Sequence, residues 1–73
     1  MSYVVGRTTV SNGRTWWVSK IRGVGWSGDP AKARVFPELP DAERWAAMEQ
    51  RDIDRGIGGQ HVFVARYREA RQQ

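Results

Sequence analysis

The chain contains no cysteine and a single histidine, His61. Without thiols there is neither a disulfide framework nor a thiolate zinc site to brace a small fold, and nothing points to an oxidising compartment. Long apolar runs are missing as well: none exceeds four residues, as in Val62-Phe63-Val64-Ala65, far short of the roughly 20 residues of a membrane span. No signal-peptide pattern opens the sequence. The expectation is a soluble protein of the cytoplasm that touches no membrane. Lysine is scarce, since ten of the twelve basic residues are arginine, the side chain that forms planar, bidentate contacts with carboxylate or phosphate. Acids are absent from residues 1–28, which carry Arg7, Arg14, Lys20 and Arg22. They are concentrated in residues 38–54, where six acids face Arg44 and Arg51. The net charge of +4 is therefore spread over an electrically two-sided molecule.

Seventy-three residues form one domain, because a chain this short buries only about 60% of its unfolded surface and has one small core to share. Residues 1–2 and about 69–73 are expected to fray. Catalysis needs titratable groups held together in a dry pocket, and one histidine among few serines, with no flanking motif, does not supply them. His61 reads as a surface residue at the start of a strand. Asp52 and Asp54 lie two apart on a helix and point in different directions, with no third oxygen ligand at the spacing of a calcium loop. Neither Gly23-Val24-Gly25 nor Gly56-Ile57-Gly58-Gly59 opens a helix in the phosphate-binding order. The sequence thus points away from an enzyme, a metal and a cofactor, and towards binding.

Residues 3–10 and 15–21 are rich in β-branched and aromatic types. Asn12-Gly13 between them is the preferred pair for a two-residue type I′ turn. That turn would pair Val10 with Thr15, Thr8 with Trp17, Gly6 with Ser19 and Val4 with Ile21. Residues 22–32 read as a loop holding Trp26, followed by a short strand over Ala33–Phe36. Pro40, with Asp41 and Glu43, suits the positive end of a helix over about 40–54. Ala42, Trp45, Ala46, Met48 and Ile53 give this helix an apolar stripe interrupted by Glu49. Gly56 caps it, with Ile57 folding back on Ile53, and residues 61–68 form a last strand. The fold class is α+β: a small antiparallel sheet of three or four strands with one helix packed on one face, in the order β-β-(β)-α-β.

Adjacent strand residues point to opposite faces, so Trp16 and Trp17 cannot share a core. Trp17 falls with Val4, Val10 and Ile21 on a face whose small Gly6–Ser19 centre invites the helix. The other face then lies open, carrying Tyr3, Val5, Arg7, Trp16, Val18, Lys20 and Arg22, joined by Arg66 and Arg68 from the last strand. Aromatic rings among arginines suit a protein hot spot, and equally a platform for single-stranded nucleic acid. The modest number of clustered cations and the acidic helix favour an acidic protein segment, or a peptide added at a sheet edge, over a long polyanion.

The stretch from Trp26 to Ala46 joins a Trp, then Ala33-x-x-Phe36, then a helix opening on Asp41-Ala42-Glu43. In this it resembles tiny phage-encoded host-takeover proteins, in which a short strand ends in the Phe and the helix packs back on a hairpin sheet. Together with length and arginine bias, the chain is similar to the transcription regulators of lytic Xanthomonas phages. The resemblance implies a monomer in the bacterial host cytoplasm that binds RNA polymerase at the N-terminal region of its largest subunit. It further implies displacement of the σ factor, inhibition of initiation and antitermination. It would place the polymerase contact on the open face or along the edge of the first strand. Counter-defence inhibitors of the anti-CRISPR type and small basic nucleic-acid-binding modules are the alternatives.

Overall fold

The computed structural model describes residues 1–21, 23–56 and 58–71. In chain order they form β1 (Tyr3–Thr9), β2 (Thr15–Val18), β3 (Trp26–Ser27), a 3-10 turn (Pro30–Lys32), α1 (Leu39–Arg55), β4 (Gln60–Arg66) and α2 (Tyr67–Ala70). The strands make one antiparallel sheet in the order β3-β2-β1-β4, and α1 packs against it, so the α+β architecture is as expected. The third strand is not where the sequence suggests. It begins at Trp26, whereas the Ala33–Phe36 stretch makes only single bridges, Ser19 to Ala33 and Phe36 to Tyr3. This stretch crosses between the end of β2 and the start of β1. There Arg34 N–H donates to Val18 C=O at 2.7 Å, and Phe36 exchanges both backbone hydrogen bonds with Tyr3. The expected Val4–Ile21 pair is thereby displaced, and Ile21 is left 43% exposed.

The hairpin register differs from the expected one by two residues: Gly6 pairs with Trp17, Arg7 with Trp16 and Thr8 with Thr15. The loop is four residues long and closes between Thr9 and Arg14, whose N–H and C=O are 2.9 Å apart. Asn12 keeps a negative φ and only Gly13 is left-handed, at φ 69°. Asn12 instead accepts Arg14 N–H on its side chain at 2.9 Å, an Asx turn rather than type I′. Val10 is drawn to the far side, where its N–H donates to Gly59 C=O at 3.0 Å, and this removes it from the β1–β2 ladder.

A register shift of two preserves which residues share a face, but α1 lies on the face opposite the expected one. It covers Val5, Val18 and Val62, with Tyr3, Trp26, Val64 and its own Ala42, Trp45, Ala46 and Ile53 completing the main core. The decisive contribution comes from β4, which adds Val62 and Val64 opposite Arg7 and Val5. This makes the supposedly open face the broader aliphatic surface, and apolar area is what drives the packing. On α1, Met48 is 53% exposed, outside the core stripe, while the half-buried Glu49 occupies the turn between Ala46 and Ile53. The helix starts at Leu39 and is capped by Gly56, whose N–H reaches Asp52 and Ile53 C=O at 3.2 Å each. The expected contact of Ile57 lies outside the described residues.

The second face holds a smaller core of Val4, Trp17, Ala33 and Ala70, with Phe63, Ala65 and Tyr67 packed on it. Trp17 is therefore buried beneath α2 and the Ala33 segment, not beneath α1. The Phe63 ring meets it edge-on at 5.6 Å. The tail is not frayed through residue 71: Tyr67 N–H donates to Ser2 C=O at 2.9 Å, and Ala70 is fully buried.

The outer edge of β4 is partly closed by α1. The Gln50 amide accepts from Val62 N–H at 2.8 Å and donates to Gln60 C=O at 3.1 Å, replacing a missing neighbouring strand and blocking edge-to-edge pairing. Gln50→Ala leaves both groups unpaired. It is expected to cost about 1–3 kcal/mol in urea unfolding and to raise self-association in sedimentation velocity.

Candidate partner-binding surface

The seven residues expected on an open face do not form one. Val5 and Val18 are 0% and 5% exposed beneath α1 and are out of reach of any partner, because the helix occupies the surface they were expected to present. Tyr3 is half-buried against the same core. Arg7 lies half-buried with its guanidinium 4.5 Å from the Trp26 ring centre, and its Nε is buried without a hydrogen-bond partner. Trp16 is half-buried at the sheet margin, where the Arg14 guanidinium stacks 4.4 Å above its ring and Gly28 lies beside it. Lys20 is exposed, and Arg22 lies outside the described residues. The edge of β1 is not available either, since β1 sits between β2 and β4.

The structure instead gathers side chains where the crossing segment meets α1. Phe36 and Trp45 pack ring against ring, with centres 5.7 Å apart. The Arg34 guanidinium lies over both, 4.6 Å from the Trp45 ring centre and 5.3 Å from that of Phe36. Val35 and Met48 flank them, exposed at 41% and 53%, and together these side chains line a groove of about 460 Å³. Arg44 and Asp41 form an ion pair on its wall. Arg34 has no carboxylate partner among the described residues, so the groove joins an apolar floor to one uncompensated cation. The Trp45 indole Nε1 is buried with no acceptor, a donor left unmade in the free chain and so a cost.

Local sequence rules place these groups. Arg34 and Phe36 lie two apart on extended backbone and so project to one side, while Trp45 and Met48 lie three apart on a helix and are surface neighbours. Trp45 and Met48 stood out in the sequence only as part of the helix's apolar stripe, and Phe36 only as the end of a short strand. The Arg34-x-Phe36 spacing was the available signal that a cation accompanies them. His61 is exposed near the start of β4. Among the described residues no group of three or more His, Cys, Asp or Glu side chains could hold a metal ion. Nor, among the described residues, is any helix long and apolar enough to cross a membrane. Comparison of the chain with protein-family models, with curated proteins and with solved structures gives no match.

Proposed function

We propose that the protein is a monomeric regulator that acts by occupying a partner's surface, without chemistry or cofactor of its own, and that the partner is bacterial RNA polymerase in the host cytoplasm. The observation that carries the binding mode is the groove, with Arg34 laid across the Phe36 and Trp45 rings. An exposed arginine anchored on aromatic rings beside apolar Val35 and Met48 has the composition of an interface hot spot.

The target follows from the resemblance to phage transcription regulators. That resemblance rests on length, arginine bias and the strand–helix organisation of Trp26–Ala46, and it carries over no binding residue. The N-terminal region of the polymerase's largest subunit is the proposed contact. Occupation of a surface that σ also needs shifts the assembly equilibrium by mass action alone, which would account for inhibition of initiation; antitermination is the proposed second consequence of the same bound state. A nucleic-acid strand is a poorer occupant of this groove, because its lining offers a single unpaired cation, Arg44 being engaged by Asp41.

Affinity capture from nuclease-treated bacterial lysate, read by mass spectrometry, tests the reading. RNA polymerase subunits depleted of σ are the expected catch, and Arg34→Glu is expected to reduce it at least tenfold while leaving the fold intact. A catch without polymerase removes the target, and a different complex, such as a defence nuclease, moves it. Undiminished capture by the Arg34→Glu variant removes the groove.

A further inference from the structure

A second site lies where β4 runs into α2. Arg66, Tyr67, Arg68 and Arg71 converge with Met1 and Ser2 around a cavity of about 650 Å³, within the roughly 300–1,000 Å³ of small-molecule sites. Its lining residues include three arginines and no acidic residue. Arg71 donates through Nη1 to the Tyr67 hydroxyl at 3.0 Å, and its guanidinium lies 5.8 Å from that ring's centre. This hydrogen bond positions the fork without neutralising it and pushes its pKa further up. Asp29 adds the weakest influence on Arg71, and its own carboxylate is engaged by Ala31 N–H at 2.9 Å. Glu69 lines a separate depression with Glu43 and Leu39.

We propose that this cavity binds a nucleotide, its phosphate held by the arginines and its base resting against the Tyr67 ring and Met1. Three forked donors need an anion with several acceptor oxygens spread in space, as phosphate has. The aromatic wall suits a planar base, for which stacking is the sequence-tolerant mode of recognition. The same chemistry comes from two sources, a free mononucleotide or one residue of a single strand. The inference stands apart from the polymerase reading, because the cavity and the groove share no lining residue.

The test uses the full chain with two probes: fluorescein-labelled decathymidylate followed by anisotropy, and AMP followed by calorimetry. Wild type is expected to bind at least one of them. Arg68→Glu and Arg71→Gln, at exposed positions, should each weaken that binding tenfold or more, and Arg44→Glu in the groove should leave it unchanged. If the strand is the source, the slope of log affinity against log salt should be about −2, near −0.7 for each of three phosphates contacted. Binding of AMP with no gain for the strand identifies a free nucleotide as the source. Absence of binding to both probes overturns the proposal. So does binding that Arg68→Glu and Arg71→Gln leave intact, or that Arg44→Glu weakens equally, which would mark diffuse charge attraction.

Discussion

Trp17→Ala is expected to remove about 3–5 kcal/mol of stability, whereas Trp16→Ala, one position earlier, should cost about 1–2 kcal/mol. The difference follows from the alternation of a strand. Trp17 points into the smaller core, 2% exposed and packed with Val4, Ala33 and Ala70, with Phe63 edge-on to it. Its truncation leaves a void that neither the short α2 nor the tethered Ala33 segment can refill. Trp16 lies at the margin, and its main specific contact is the stacked Arg14, an exposed cation–aromatic pair worth about 0.5–1 kcal/mol. A chain of this length is stable by only about 4–11 kcal/mol in all, so loss of Trp17 removes a large fraction of it. Urea unfolding followed by far-UV circular dichroism measures both variants. Equal losses would contradict the division of the sheet into two unequal cores.

The second large effect is expected at Gly6. It sits in the central strand opposite Trp17 and Phe63, and the rings of both lie across its backbone. A β-carbon placed there would come within 2.7 Å of Phe63 Cζ and 2.8 Å of Trp17 Cζ3. Phe63 has some freedom to yield, but Trp17 is enclosed. Gly6→Ala should therefore cost about 1–3 kcal/mol, the usual range for overpacking, and Gly6→Val should lie at or above its upper end. In a domain of this size each kcal/mol lowers the melting temperature by about 4–8 °C, so thermal unfolding resolves the series. A Gly6→Ala protein as stable as wild type, or more so, would mean that the rings do not cover this residue.

The sequence's legible parts and its misleading ones have separate physical causes. Strand parity was readable from Tyr3–Thr9 and Thr15–Val18, and it survived the change of register because that change was even. The side taken by α1 was not readable from the hairpin alone, because it depends on which way β4 presents Val62 and Val64 and which way it presents Phe63 and Ala65. The small Gly6–Ser19 centre suggested a seat for a helix, but the space over Gly6 is filled by rings already on the sheet. The Glu69–Arg71 stretch looked like a fraying tail because a four-residue helix is too short to show a period, yet Ala70 is fully buried and helps close the smaller core. Met48 followed Trp45 at helical spacing and was grouped with the core. In the structure Glu49 is half-buried and Met48 lies exposed at the groove. The mixing of arginines with aromatic rings was thus readable as a composition, while where those side chains meet required knowing which face the helix covers.

The most direct measurement is a titration of purified bacterial RNA polymerase against the immobilised protein, comparing wild type, Arg34→Glu and Arg14→Glu. Both substitutions reverse an exposed cation stacked on an aromatic ring, one at the groove and the other beside Trp16. Binding by wild type that Arg34→Glu weakens at least tenfold and Arg14→Glu leaves within about twofold is the predicted result. The account is contradicted if polymerase does not bind, or if Arg14→Glu carries the loss and Arg34→Glu does not.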